Sequence, residues 1–188
     1  MNQNKKKGIT LVETLVYISL LALILPPLVI SLIRVTRQVS LLDIRNRINT
    51  TATLISSELT RDLTESTQIR VSLSTLGSSP STFVFLDSTG QVVTIDRPSV
   101  VVSYSGGNQI THRLRMTKGS SPSFYLTDPD LDVLSWQVDV VNNNASVLTG
   151  IRFHIDMATG NQSSMDPYLK ARFVSDFTVN LQPQTIQS

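Results

Sequence analysis

The stretch KKKGITLVETLVYISLLALILPPLVISLI, residues 5–33, opens with three lysines and a glycine and continues as an almost unbroken apolar run. Between Ile9 and Ile33 the only charged residue is Glu13. About 20 apolar residues cross a bilayer as a helix, so the run is long enough to span one. A carboxylate inside a spanning helix is costly and indicates a functional site by default.

The position of the basic residues indicates that the apolar run is retained. A secretory signal peptide has its cleavage site behind an apolar stretch of about 7–15 residues. Here the leader-like junction, after Gly8, precedes the run, so the run would stay in the mature protein. The leader lysines favour a cytoplasmic N-terminus, although Arg34 and Arg37 flank the other end. We expect the N-terminus inside, because the leader is short and the large remainder has the pattern of an exported domain.

Composition limits the chain to one domain plus a membrane segment, since it has 188 residues. The formal net charge is +2, but without the three leader lysines 13 basic side chains would face 14 acidic ones, a net charge of −1. On charge alone we therefore expect no nucleic-acid partner. Cysteine is absent, which excludes disulfides, thiolate metal sites and a cysteine nucleophile.

An amphipathic pattern extends the helix beyond the apolar run, from residue 34 onward. Apolar residues recur there at spacings of three, four and seven, which places them on one helical stripe. No Gly or Pro occurs between Leu28 and Leu76. We therefore predict one continuous helix to about Glu65, whose second half needs a partner surface. The predicted stripe consists of Leu41, Ile44, Ile48, Ile55 and Leu59.

We call the rest of the chain the head, and its sequence pattern predicts an antiparallel sheet with one covered face. Nine short β-rich runs alternate with turn residues, and the clearest hairpin surrounds Gly106-Gly107. The amphipathic half of the helix is the expected cover. The alternation predicts Ile110, His112, Leu114 and Met116 on the covered face. The runs are 69–73, 82–86, 91–95, 100–104, 109–116, 124–127, 135–141, 147–155 and 171–181.

These features together resemble the type IV pilin and pseudopilin superfamily. The cationic leader, Gly8, and a carboxylate five residues later resemble a class III prepilin N-terminus, and this match covers the first third of the chain. The β-rich head and its terminal strand are similar to those of minor pilins and J-type minor pseudopilins. The resemblance implies an α+β, pilin-like fold, a long N-terminal helix packed on a mainly antiparallel β-sheet head. Its parts are a leader 1–8, a transmembrane and assembly helix 9–33, an amphipathic half 34–66 and a head 67–188.

The resemblance also implies roles for residues at the N-terminus. A prepilin peptidase would cleave after Gly8 and methylate the new amino terminus at Ile9, where the family usually has Phe. Glu13 would then meet the amino terminus of a neighbouring subunit, since an ammonium and a carboxylate in a poor dielectric each lower the other's burial cost. A simpler interpretation stays open for each residue. Gly8 could be a chance glycine that precedes an uncleaved signal anchor, and the Glu13 side chain could extend to the water at the membrane surface.

Pro26 and Pro27 lie within the predicted spanning helix and have no backbone N–H groups to donate. The pair removes the N–H groups that would bond the carbonyls of Ala22 and Leu23, so kinking or local unwinding is expected. Pilin helices often carry a proline somewhat further along, where the helix stretches in the filament. A kink in the membrane with no assembly role is the equal alternative.

The head offers weaker candidates for chemistry. Asp128, Asp130 and Asp132 alternate and could gather oxygens around Ca²⁺, but an acidic turn is the simpler interpretation because no glycine turn or distal glutamate accompanies them. Arg113 and Arg115, with Lys118 near by, form a conceivable phosphate patch, for which a solvated strand face is the default. We expect no cofactor.

No phosphate loop, nucleophile elbow or zinc helix occurs, so we expect a structural subunit and no enzyme. The expected function is that of a minor pilin-like subunit, assembled in or at the tip of a type IV pilus or a type II secretion pseudopilus, or in a DNA-uptake pilus. Its partners would be other pilin or pseudopilin subunits, a prepilin peptidase, an inner-membrane assembly platform and membrane lipid. It would be a single-pass protein of the bacterial cytoplasmic membrane, with its head periplasmic or extracellular. The alternative is a signal-anchored monomeric protein with a ligand-binding β head; an anchored enzyme is a third.

Overall fold

A computed structural model describes residues 10–104, 107–142, 148–159 and 170–181. The chain divides into two compact units, residues 1–40 and residues 41–188. The helix α1 runs from Leu11 to Thr64, so that its first part belongs to the first unit and the remainder to the second. Its end lies one residue before the predicted end at Glu65.

In the first unit, the apolar residues of α1 have no protein surface to cover them. All large apolar side chains between residues 11 and 33 are 47–80% exposed. Among the described residues, α1 is the one helix long and apolar enough to cross a membrane. The helix continues through Pro26 and Pro27, so the expected local unwinding does not occur, although the two N–H donors are absent.

In the second unit, the later part of α1 contributes one face to a hydrophobic core. The predicted stripe is confirmed at its centre, where Ile48, Ile55 and Leu59 are buried, whereas Leu41 and Ile44 are only half-buried. Residues Ala52 and Leu63, also buried on this face, extend the stripe toward the end of the helix.

In the part of the chain that the structure describes, ten β-strands follow the helix, and all of their pairings are antiparallel. They form a five-stranded sheet in the order β1-β2-β3-β6-β7, a three-stranded sheet in the order β10-β9-β8 and a β4-β5 hairpin. A short 3-10 helix, Val71–Leu73, follows β1. The strands are β1 (Gln68–Ile69), β2 (Phe83–Leu86), β3 (Val92–Asp96), β4 (Ser99–Tyr104), β5 (Gly107–His112), β6 (Arg115–Lys118), β7 (Phe124–Tyr125), β8 (Leu131–Asn142), β9 (Leu148–Thr159) and β10 (Arg172–Asn180).

One hydrophobic cluster joins the α1 residues to both larger sheets, which confirms the predicted α+β architecture of a long helix and a mainly antiparallel head. Aromatic rings occupy the centre of this cluster. The Phe153 ring stacks on Trp136 with centroids 5.5 Å apart and on Phe177 at 5.1 Å, and it meets the edge of Phe83 at 5.6 Å.

The predicted single strand 109–116 is wrong, because the chain changes sheet within it. Strand β5 pairs with β4 in the hairpin, whereas β6 pairs with β3 in the five-stranded sheet. The change of sheet inverts the predicted alternation in β5, where Ile110 is 68% exposed and Thr111 is buried. Leu114 and Met116, beyond the change, are buried as predicted.

The ends of several other strands also differ from the predicted runs. The run 69–73 is strand only at its first residue and then forms the 3-10 helix. Strands β8 and β9 are longer than predicted, 12 residues each, because they pair with each other along nearly their whole length. The hairpin around Gly106-Gly107 is confirmed, with Tyr104 opposite Gly107.

Candidate functional site

The predicted processing site, Gly8 and Ile9, lies outside the described residues, as do the leader lysines. The first candidate that the structure places is Glu13, which stands in the first turn of α1 and is exposed. A carboxylate there is favoured by the partial positive charge of the helix N-terminus.

Glu13 also belongs to a local motif that the sequence reasoning missed. Its backbone N–H donates to the hydroxyl oxygen of Thr10 at 3.3 Å, and Thr10-Leu11-Val12-Glu13 has the spacing of a capping box. The pattern S/T-x-x-E was visible in the sequence and is a known signal for a helix start. Glu13 therefore occupies the third helical position of a capping motif in its own chain, and its backbone N–H is bonded there by Thr10.

The hydroxyl groups in the apolar part of α1 bond to the helix itself. Ser19 donates to the Leu15 carbonyl at 2.8 Å, and Thr14 donates to the Thr10 carbonyl at 3.2 Å. These bonds lower the cost of placing hydroxyls in hydrocarbon, since each donor is satisfied within the segment. Glu13 remains as the single charged side chain between residues 11 and 33.

The three carboxylates proposed for Ca²⁺ point to two different partners. The Arg47 guanidinium lies 3.1 Å from Asp130 and 3.7 Å from Asp128. Asp132 instead accepts the backbone N–H of His112 at 2.7 Å, and its carboxylate lies 3.2 Å from the ring Nδ1. Within the described residues, no cluster of three or more His, Cys, Asp or Glu side chains has a metal-binding arrangement.

His112, predicted in the core, is half-buried and joins the hairpin to the start of β8 through Asp132. The hairpin is held there a second time by Tyr104, whose hydroxyl donates to the Pro129 carbonyl at 3.1 Å. Burial raises the pKa of Tyr104, and the charges of Asp130 and Asp132 raise it further. Through these contacts the acidic turn holds the β4-β5 hairpin next to the start of β8.

Arg113, the first member of the predicted basic patch, contacts an aromatic ring and a backbone carbonyl within the second unit. Its guanidinium lies over the Tyr125 ring, 4.1 Å from the centroid, and it donates to the Thr127 carbonyl. This cation–π partner is not visible in the local sequence, because Tyr125 comes from a different strand, β7.

The other two cations also have acidic partners, so the three do not form an open anion patch. Arg115 binds Asp96 through two hydrogen bonds of 3.0 and 2.5 Å, and this interaction raises the pKa of Arg115. Lys118 lies 2.7 Å from Asp62, a buried carboxylate near the end of α1. An ordinary strand face therefore describes these residues better than a phosphate-binding patch does. The cations on that face are paired with neighbouring groups.

A cationic cleft at the start of β10 was not predicted from the sequence. It has a volume of about 320 Å³ and is lined by Arg45, Ile48, Asn49, Ala171, Arg172 and Phe173. Arg172 donates through Nε to both carboxylate oxygens of Asp156, at 2.9 and 3.1 Å, and through Nη2 to one of them. The hydrogen bond and charge of Asp156 raise the pKa of Arg172. No local sequence signal joins these residues, because the helix and strand positions are more than 120 apart.

Comparison with protein families, with curated proteins and with solved structures finds no match to this chain. Functional inference therefore depends on the residues and geometry of the chain itself. The features with functional content are the exposed apolar helix with Glu13 in the first unit, and the cationic cleft in the second.

Proposed function

We propose that this chain is a minor pilin-like structural subunit, processed by a prepilin peptidase and assembled into or at the tip of a type IV pilus or a type II secretion pseudopilus. The single observation that carries the proposal is the first part of α1. Every large apolar side chain there is exposed, and one carboxylate, Glu13, stands at the helix start. Such a surface needs lipid or the same surface of other subunits as its solvent.

The proposed cycle uses both environments. The helix waits in the cytoplasmic membrane with its N-terminus in the cytoplasm, and cleavage after Gly8 frees the amino group of Ile9. The Glu13 carboxylate then pairs with the amino terminus of a neighbour, while apolar helix surfaces pack together outside the lipid. The pair sets the register between helices more than it adds stability, because desolvation of both charges offsets much of their attraction.

The first experiment is intact-mass measurement of the protein from bacterial strains with and without a prepilin peptidase. We expect a peptidase-dependent loss that matches Met1–Gly8, with or without one methyl group on Ile9. Substitution Gly8→Leu should abolish the loss, because a side chain would block the close approach of the protease to the backbone. A full-length species in both strains would contradict the proposal and favour the signal-anchored monomer.

The second experiment separates the proposed pairing of Glu13 from its capping role. Glu13→Gln keeps a capping box, in which Glu and Gln are both suitable, but removes the charge. We expect the Gln variant to be cleaved normally and to be lost from sheared filaments or from crosslinked pseudopilus assemblies. The matched control, Thr10→Val, removes the cap hydroxyl and keeps the charge, and it should assemble. Normal assembly of the Gln variant would refute the charge pairing.

A further inference from the structure

The cationic cleft at the start of β10 carries more positive charge than its neighbours balance. Arg45 has no hydrogen-bond or ion-pair partner among the described residues and is exposed. A second cleft of about 240 Å³ shares Ala171 and Arg172 with the first and adds Lys170, which also lacks an acidic partner among those residues. Among the described residues, Asp156 is the one carboxylate in contact with this group of three cations. The cleft therefore attracts anions.

Asp156 holds the Arg172 guanidinium in one orientation. The Asp156 side chain is 6% exposed, whereas that of Arg172 is 66% exposed. The arginine cannot swing away without leaving a buried charge unpaired, which is strongly unfavourable. Because Nε and Nη2 face the carboxylate, Nη1 has no partner among the described residues and remains to donate. A guanidinium fixed in this way has lost its rotamer entropy before any ligand arrives.

The remaining lining of the cleft is apolar apart from one amide. Ile48 is buried beneath it, with Ala171 and Phe173 on the strand side. Arg45 and Asn49 are one helical turn apart, so their donors lie on the same face of α1. Two guanidinium groups and an amide above an apolar floor suit an anion that has two coplanar oxygens on a hydrocarbon stem.

We propose that this cleft binds a carboxylate group attached to an apolar chain, held between the guanidinium groups of Arg45 and Arg172 with its carbon chain on Ile48 and Phe173. The volume of about 320 Å³ fits a short side chain or the last residue of a polypeptide. Asp156 is a positioning residue in this site. The binding does not depend on filament assembly, so it can be tested apart from the proposed function.

The experiment follows the side-chain Nε signals of ¹⁵N-arginine in the full chain, in nonionic detergent at constant ionic strength, during titration with sodium butyrate. The signals of Arg45 and Arg172 are assigned with Arg45→Gln and Arg172→Gln. We expect both signals to shift and saturate together, with half-saturation at least fourfold lower than for acetate, because each buried methylene adds about fourfold. Inorganic phosphate should bind more weakly than butyrate. No saturation, or a phosphate response equal to that of butyrate, would overturn the proposal.

Three variants test the assigned residues. Arg45→Gln should raise the half-saturation concentration at least tenfold, whereas Arg152→Gln, an exposed arginine outside the cleft, should leave it within twofold. Asp156→Asn should also weaken binding, because Arg172 loses its orientation. A mechanism of charge alone predicts the reverse, since that variant removes one negative charge from the cleft. Trp136 fluorescence checks that each variant is folded. If Asp156→Asn unfolds, the half-saturation concentration of Arg45→Gln alone tests whether the cleft is the binding site.

The source of the carboxylate is distinguished with a tetrapeptide that ends in leucine, used as the free acid and as the C-terminal amide. Tighter binding of the free acid than of butyrate indicates a polypeptide partner, and weaker binding indicates a small-molecule acid; both support the site. Equal binding of the amide would overturn it, because the carboxylate would then play no part.

Discussion

At the scale of single residues, three buried carboxylates each connect two different elements of the fold. Asp62 at the end of α1 contacts Lys118 of β6, Asp132 of β8 contacts His112 of β5, and Asp156 of β9 contacts Arg172 of β10. Each is less than 10% exposed and would be costly without its partner. The contacts therefore specify how the elements are placed more than they add stability.

Asp62 allows the cost of such a contact to be measured. Asp62→Asn leaves the partly buried ammonium group of Lys118 without its anionic partner, so we expect a loss of about 2 kcal/mol in the free energy of unfolding. The measurement is urea unfolding of the full chain in detergent, followed by the fluorescence of Trp136, the single tryptophan of the protein. Glu58→Gln, a more exposed carboxylate on the same helix, should change stability by about 0.5 kcal/mol or less. Equal losses in both variants would contradict a special role of the buried pair.

At the scale of elements, the two larger sheets and α1 share one core because strands β8 and β9 present aromatic rings to it. Phe153 on β9 contacts Trp136 on β8 and Phe83 on β2, so it joins the sheets. Arg97 supports the same region from its edge, since it donates to the carbonyls of Val133 and Leu134 where the register of β8 shifts. The β8 irregularity is therefore held by a side chain from the connection between β3 and β4.

Phe153→Ala tests this central position. Removal of a fully buried phenylalanine ring leaves a cavity between the two sheets, and we expect a loss of about 3–5 kcal/mol. The same urea titration measures it. Val174→Ala on the neighbouring strand β10, where the side chain is 49% exposed, is the control and should cost less than about 1 kcal/mol. A small loss for Phe153→Ala would mean that the sheets are not joined through this ring.

At the scale of the whole molecule, the two units have opposite relations to solvent. The second unit buries a large apolar cluster in a core, whereas the large apolar side chains of the first unit between residues 11 and 33 are all exposed along the helix. A chain with these two parts is compatible with single-pass anchoring through the apolar segment.

The double substitution Leu21→Arg/Leu23→Arg tests that anchoring. Each arginine near the centre of a spanning helix costs about 3 kcal/mol of insertion free energy, so the fraction of protein that resists alkaline extraction from membranes should fall sharply. Leu42→Arg/Leu54→Arg changes two exposed leucines of the same helix outside the apolar run and should leave that fraction unchanged. Full retention of the first variant would contradict a spanning role for residues 11–33.

Several features were predictable because their signals are local. The extent of α1 follows from the absence of Gly and Pro after Pro27 and from the apolar spacing around Ile48 and Ile55. The hairpin follows from its glycine turn. Ile110 and His112 were predicted on the covered face of one strand, and this prediction was wrong. An alternating pattern assumes a single continuous strand, and it carries no information about a change of sheet between β5 and β6.

The sequence by itself determined a long helix with an apolar first part, its single early carboxylate, and a strand-rich head, because these depend on composition and on periods of a few residues. Only the tertiary structure decided which strands share a sheet, which cation each buried carboxylate meets, and that Arg45 and Arg172 line one cleft. The physical reason is that such pairings join different elements, from 16 residues apart for Asp156 and Arg172 to more than 120 for Arg45 and Arg172, and the burial of charge and apolar area there is settled by the packing of all elements together.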